Sequence, residues 1–84
     1  MKPILLSRHV QDQMRERGAS EDEVRQAIRD GEAVPAKKGR MAYRLNFPFA
    51  RPWGGQTYAA KQVMAIVAEE TNCLVVVTVY TFYF

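Results

Sequence analysis

The sequence predicts an α+β domain in which two N-terminal helices pack on one face of an antiparallel sheet of about four strands. Residues 7 to 31 contain apolar side chains at helical spacing, bounded by residues that cap helices. Residues 33 to 84 alternate apolar and polar side chains between short turn-like breaks, as antiparallel hairpins do. Helices grouped before strands indicate a two-layer α+β domain. Without a repeat or linker, residues 1–84 are predicted to form a single domain.

The first helix is predicted over about residues 8 to 17. Ser7 precedes it, and a serine hydroxyl can accept a hydrogen bond from a free amide of the first turn. Gly18 follows it and supplies the left-handed residue that commonly ends a helix. Val10 and Met14, four residues apart, form the apolar stripe that would face the sheet.

The second helix has an equally clear beginning. Ser20 and Glu23 match a capping box, in which each side chain bonds the backbone amide of the other residue. Gly31 closes the helical pattern. The residues expected to face the core are Val24, Ala27 and Ile28.

Strands follow the helices. They are predicted over residues 33–37, 40–47, 58–69 and 73–84. In the second strand Tyr43 and Leu45 lie on an apolar face, so Arg44 is expected on the opposite face. Residues 48–56, which contain two prolines and two glycines, are predicted to form a loop.

Charge is unevenly distributed along the chain, although the net charge is only +3. Between residues 33 and 68 there is no acidic residue, and we call the bases of this segment the basic belt. A segregated basic segment is expected in a protein that binds a polyanion. The same lysines could instead discourage edge-to-edge pairing of a solvated sheet, and both interpretations stay open. The basic belt comprises Lys37, Lys38, Arg40, Arg44, Arg51 and Lys61.

The N-terminal residues resemble the signature of a small bacterial domain family of unknown function. In that family the signature reads His-Ala-x-x-Arg-Met-x-x-Arg-Gly-Ile-Ser, and the family is distantly similar to BrnT and RelE types of ribonuclease toxin. The resemblance implies a fold of two helices and an antiparallel sheet and, by analogy, metal-independent cleavage of RNA. Gln13 replaces the arginine that precedes the methionine, a change that Arg15 or Arg17 could offset in charge. The matching residues are Ser7, Arg8, His9, Met14, Arg17, Gly18, Ser20, Glu23, Val24, Ala27, Ile28, Gly31 and, more weakly, Val77 to Tyr80.

Cleavage of RNA without a metal needs a base for the 2′-hydroxyl, an acid for the leaving oxygen and cations beside the phosphorane. His9 is the candidate base or acid, because imidazole titrates near neutral pH. Arg17 and Arg44 are candidates to hold the phosphate in a bidentate manner, and Tyr80 is a candidate hydrogen-bond donor. No metal and no cofactor are predicted. Each residue also has a structural alternative, such as helix capping for His9 and a favourable dipole interaction for Arg17.

A second group of residues is predicted to contact nucleic acid without chemistry. Cationic side chains would follow the phosphate backbone, and Trp53 would stack on a base or, alternatively, cover a small core. The cationic members are Lys37, Lys38, Arg40, Arg51 and Lys61.

The sequence therefore predicts a toxin-like ribonuclease or RNA-binding domain. The alternative is a non-catalytic module that binds nucleic acid or a protein through its sheet face or its C-terminal strand. The expected partners are RNA, an antitoxin-like protein, or a second copy paired through the C-terminal strand. No apolar run approaches the roughly 20 residues that span a bilayer, no export signal is recognisable, and Cys73 is the sole cysteine. These features predict a cytoplasmic protein without a membrane partner.

Overall fold

Residues 2–84 are described by a computed structural model, in which two helices pack on one face of a five-stranded sheet. The strand order is β1-β5-β4-β3-β2, and every pairing is antiparallel except that of β1 with β5. A short 3-10 turn at Lys37–Gly39 connects β2 to β3. The elements are β1 (Ile4–Leu6), α1 (Arg8–Arg17), α2 (Glu21–Asp30), β2 (Glu32–Pro35), β3 (Met41–Trp53), β4 (Gln56–Glu69) and β5 (Leu74–Tyr83).

The α+β class is confirmed, whereas the expectation of about four antiparallel strands is wrong. The additional strand is β1, whose Ile4 and Leu6 align in parallel with Leu74 and Val76 of β5. Three residues are too few to show a strand period, and their partner is distant in the sequence. The local sequence pattern therefore could not predict this strand.

Both helices begin where the sequence predicts. The Ser7 hydroxyl accepts a hydrogen bond from the Val10 amide at 3.1 Å, and Gly18 ends α1 with a φ of 78°. The capping box of α2 is complete, because the Ser20 amide donates to Glu23 at 3.0 Å and the Glu23 amide donates to Ser20 at 3.1 Å. Helix boundaries are thus fixed by short-range hydrogen bonds.

The core lies between the helices and one face of the sheet. Alternate residues of β4 and β5 point toward the helices and are buried, while the residues between them point away. The opposite side of the sheet, formed by β2 to β5, carries no helix, and we call it the open face. The buried core residues on the helix side are Val10, Met14, Ala19, Val24, Ala27, Ile28, Val63, Ala65, Val67, Leu74, Val76 and Val79.

The predicted loop over residues 48–56 is instead a long hairpin arm. Strand β3 continues to Trp53, and only Gly54 and Gly55, with φ angles of 60° and 89°, separate it from β4. The register shifts between Pro48 and Arg51 through a bulge, which accommodates a proline within a strand. The prolines and glycines indicated a break in the pattern correctly, but the break is a bulge followed by a tight turn.

Aromatic rings fasten this arm to the end of α1. Trp53 stacks on Tyr83 with ring centroids 5.0 Å apart, and Phe49 and Tyr58 approach the same ring at 5.1 and 5.6 Å. The rings close over Gly18, where an added Cβ would lie 2.7 Å from the Trp53 ring and would also overlap the Tyr83 hydroxyl. Glycine at this position serves both the left-handed turn and the close approach of the rings.

A buried ion pair joins β4 to the junction of the two helices. Lys61 is only 3% exposed, and its ammonium donates to the Gly18 carbonyl and to the Glu23 carboxylate, each at 2.8 Å. Burial opposes ionisation of Glu23, but hydrogen bonds from Lys61 and from the Ser20 amide outweigh it and lower the pKa of this carboxyl. The pair therefore fixes how the helices sit on the sheet.

Replacing Glu23 with glutamine should destabilise the fold in a pH-dependent manner. Loss of the charged hydrogen bond to a buried ammonium is expected to cost about 1–3 kcal/mol at pH 7. Because the folded-state pKa of Glu23 is lowered, its contribution is present above the unfolded-state pKa and disappears as the pH falls through the folded-state pKa. Urea unfolding at pH 7 and at successively more acidic pH should show that the free energies of unfolding of the variant and the wild type become more similar as the pH falls. Glu21→Gln, which breaks only an exposed pair with Arg25, is the control and should cost tenths of a kcal/mol.

Gly18→Ala should destabilise the protein more than Gly39→Ala. Both glycines have positive φ, 78° and 72°, so both substitutions introduce backbone strain of about 1 kcal/mol. Only the alanine at Gly18 also meets the rings of Trp53 and Tyr83, whereas no atom lies within 4 Å of a Cβ at Gly39. Because of this overpacking, we expect Gly18→Ala to lose roughly 1–3 kcal/mol more free energy of unfolding than Gly39→Ala. Urea unfolding of the two variants measures this difference. Equal losses would show that the aromatic rings do not restrain this position.

Candidate nucleic-acid interface

The outer edge of β5 is covered by two different elements. Strand β1 pairs with it only as far as Val76. Beyond that point Gln13 of α1 accepts a hydrogen bond from the Val79 amide at 3.2 Å, and Arg17 donates to the Val79 carbonyl at 2.6 Å. Residues four apart lie on the same side of a helix, so both side chains reach the same residue of the strand. Helix α1 thus substitutes for a neighbouring strand at Val79.

The guanidinium of Arg17 continues across this edge to the open face. Its central carbon lies 5.1 Å from the centroid of the Tyr80 ring, which is 42% exposed. Apart from the bond to Val79, no other protein acceptor for the guanidinium occurs in residues 2–84. The site therefore presents a fixed cation beside an exposed aromatic ring, an arrangement suited to an anionic ligand.

The end of α1 that carries Arg17 is held by β5. The Arg17 carbonyl accepts hydrogen bonds from the Thr81 hydroxyl at 2.5 Å and from the Tyr83 hydroxyl at 2.7 Å. Burial raises the pKa of the Tyr83 phenol, which favours the protonated form that donates this bond. These contacts orient the last turn of the helix and, with it, the Arg17 side chain.

His9 joins the same line of residues through Gln13. The Nε2 atoms of His9 and Gln13 are 3.3 Å apart, so His9 accepts and the amide donates in the assigned orientation. The imidazole is exposed on the first turn of α1. His9, Gln13, Arg17 and Tyr80 are therefore linked along the edge of β5, where the backbone of Val79 joins Gln13 to Arg17. In the sequence, Gln13 is notable only as a departure from the resembled signature. Its spacing of four residues from both His9 and Arg17 nevertheless indicates that the three side chains share one side of the helix.

Arg44 is not part of this group. The strand register places it in one row with Met64 and Tyr80, so it shares the open face with Tyr80 but lies two strands away. At roughly 4.8 Å per strand, the separation is about 10 Å. Its guanidinium also points away from Tyr80 and pairs with Glu32 at 2.6 Å. Arg44 therefore lies apart from Arg17 and Tyr80, and its role in holding a phosphate stays a prediction.

A shallow groove of about 460 Å³ runs across the open face beside Tyr80. Its floor is largely apolar, and its far rim carries the basic residues Lys37 and Arg40 on the turn between β2 and β3. Among the described residues that line the groove, none is acidic. An apolar floor with a cationic rim can accept a planar base while contacting its phosphate. The floor is formed by Val34, Ala42, Met64, Ile66, Val77 and Thr78.

Three exposed aromatic residues, two in β5 and one directly after it, face the same side. The exposed fractions of Tyr80, Phe82 and Phe84 are 42%, 47% and 57%. The rings of Tyr80 and Phe82 are nearly parallel, with centroids 6.4 Å apart. We call these three residues the aromatic row. Large exposed aromatics arranged side by side are unusual on a solvated sheet and indicate a binding surface.

The other residues predicted to contact nucleic acid occupy different environments. Lys61 is buried in its ion pair with Glu23 and is not available on the open face. Trp53 packs on Tyr83 at the helix side of the sheet and is not on the open face. Arg51 lies on the hairpin arm over Phe49, at 4.8 Å from the ring centroid. Of the predicted binding residues, Lys37, Lys38 and Arg40 are those that lie at the groove or on its adjoining turn.

Three further features of residues 2–84 complete the description. Within this range no cluster of three or more His, Cys, Asp or Glu side chains is arranged to hold a metal ion. None of the helices described is both long and apolar enough to cross a membrane. Cys73 is a free, partly buried thiol.

Comparison with known proteins identifies the family. No match to this chain is found among curated proteins or among solved structures. A family model described as a domain of unknown function, DUF4258, matches residues 6–81, which include both helices, β2 to β4 and nearly all of β5. Because the match extends over almost the entire fold, the chain belongs to the DUF4258 family.

Proposed function

We propose that this protein binds single-stranded RNA across the open face of its sheet. The observation that carries the proposal is the combination, on one face, of the aromatic row, the Arg17 guanidinium and a groove with a basic rim. Aromatic side chains on a sheet recognise RNA by stacking on unpaired bases, and cations beside them contact the phosphates. A duplex hides its base faces, so this surface favours a single strand.

The positions of the cations define the path of the bound RNA across the sheet. Arg17 lies at the β5 edge, while Lys37 and Arg40 lie at the β2–β3 turn on the other side of the groove. Three strand spacings of roughly 4.8 Å separate β5 from β2, or about 14 Å. A short stretch of nucleotides would therefore cross the strands, with a base over the groove and phosphates at both ends. The acid-free segment from residue 33 to residue 68 keeps this path free of repulsive carboxylates, apart from Glu32, which Arg44 neutralises.

RNA cleavage of the toxin type is the second candidate function, and the position of His9 favours it. Gln13 links His9 to the edge where Arg17 and Tyr80 meet. In this reaction His9 would take the 2′-hydroxyl proton, the 2′-oxygen would attack phosphorus, and the bond to the 5′-oxygen would break as that oxygen takes a proton from water. Arg17 would stabilise the phosphorane charge, and Tyr80 would donate a hydrogen bond. An antitoxin-like protein that covers this edge would then be the regulatory partner.

Tyr80→Ala should weaken the binding of single-stranded RNA by roughly tenfold, because one stacked base contributes about 1–3 kcal/mol. Fluorescence anisotropy with a labelled, unstructured RNA oligonucleotide measures the change. Tyr80→Phe is the matched control, since it keeps the ring and should bind nearly as well as wild type. Affinity should also fall as salt is added, with a weaker salt dependence in Lys37→Gln. Binding that does not respond to salt, or that survives loss of the Tyr80 ring, would contradict the proposal.

His9→Ala should abolish RNA cleavage while leaving RNA affinity within about twofold of wild type, because His9 lies outside the groove. The assay follows a defined RNA substrate on denaturing gels with a chelator present. Arg8→Ala, an exposed neighbour on the same turn, serves as the control for contaminating nucleases and for helix disturbance. If wild-type protein binds RNA but leaves it intact, the cleavage proposal is wrong and the binding proposal stands.

A further inference from the structure

The edge of β5 beyond Val79 is unpaired in the described chain. Phe84 and Ala60 of β4 exchange backbone hydrogen bonds at 2.7 and 3.0 Å, so Phe84 directs its amide and carbonyl toward β4. In an antiparallel pair, alternate residues direct these groups to opposite sides. Thr81 and Tyr83 therefore direct theirs outward, where β1 no longer extends. This short segment offers donors and acceptors to another strand.

The segment also lacks the features with which proteins usually protect an exposed edge. Strand β5 contains no charged residue and no proline, whereas the opposite edge strand, β2, is short and contains Glu32 and Pro35. The exposed side chains at the β5 edge are those of the aromatic row. An unprotected edge with exposed rings is well suited to pair with a strand of matching chemistry.

The contacts of α1 restrict the register of such pairing. A pairing centred on Thr81 would place Val79 of one copy opposite Tyr83 of the other, but the Val79 amide and carbonyl are already bonded to Gln13 and Arg17. A pairing centred on Phe82 places Thr81 of each copy opposite Tyr83 of the other copy. It uses only the outward groups of these two residues and leaves the helix contacts intact.

We propose that two copies of this protein join their sheets edge to edge through antiparallel pairing of Thr81–Tyr83, with the twofold axis at Phe82. In this register Phe82 lies directly opposite Phe82 of the second copy, and Tyr80 lies opposite Phe84. Aromatic side chains directly opposite each other across strands attract, so the aromatic row is complementary to itself. This self-complementarity favours a second copy over an unrelated strand. The inference does not depend on RNA binding.

Cysteine cross-linking tests both the pairing and its register, in a Cys73→Ser background. Residues opposite each other in a non-hydrogen-bonded pair have Cα atoms about 4.5 Å apart, which permits a disulfide. Phe82→Cys should therefore give a covalent dimer on oxidation. Phe84→Cys is the register control, because its two thiols would be four residues, or about 14 Å, apart along the strands and should not cross-link. No dimer at position 82, or equal cross-linking at both positions, would overturn the proposal.

Sedimentation across a concentration series tests the same contact without oxidation. Wild type should show a reversible monomer–dimer equilibrium, and Phe82→Lys, which sets two like charges opposite each other, should weaken it by roughly tenfold or more. Asn46→Lys adds the same charge to the same row of the open face, two strands from the edge, and should dimerise like wild type. A wild-type protein that stays monomeric at its solubility limit, or equal effects of the two lysines, would exclude pairing through this edge.

Discussion

The arrangement of this fold depends on one buried ammonium group. Lys61 projects from β4, an inner strand of the sheet, and binds both the carbonyl that ends α1 at Gly18 and the Glu23 carboxylate that caps α2. Burying an ammonium is costly unless it is fully paired, so helix positions that leave it without these partners are strongly disfavoured. The apolar core supplies most of the driving force for folding, but it tolerates small shifts between layers. The ion pair removes that freedom.

The position of α1 in turn determines what happens at the β5 edge. Once Gly18 is held over β4, the last turns of α1 pass beside β5, and Gln13 and Arg17 satisfy the backbone groups of Val79. The same bond that closes the edge directs the Arg17 guanidinium over Tyr80. A structural role and a ligand-binding role for Arg17 are therefore compatible, because one donor serves the strand and the other donors have no protein acceptor in residues 2–84. The fold and the candidate site share these residues.

The parts of this structure that sequence could predict are those fixed by neighbours in the chain. The caps at Ser7, Gly18 and Ser20 depend on residues within four positions, and they appear as predicted. The parallel strand β1 and the burial of Lys61 depend on partners tens of residues away, so no local pattern revealed them. Arg44 illustrates the intermediate case. Alternation placed it correctly on the face opposite its apolar neighbours, but the strand order and its pairing with Glu32 decided its distance from Tyr80.

The two proposed surfaces are connected by geometry. Antiparallel pairing at Phe82 relates the two sheets by an axis perpendicular to them, so directly opposed residues point to the same side. Both open faces would then form one continuous surface, with the two aromatic rows meeting at its centre and an Arg17–Tyr80 pair on either side of the axis. A strand of RNA crossing one groove toward the β5 edge would reach the second row directly. Pairing of the edge therefore enlarges the stacking surface and leaves the floor and the basic rim of the groove free. The contacts at Val79 that limit the pairing also keep both Arg17 side chains facing this surface.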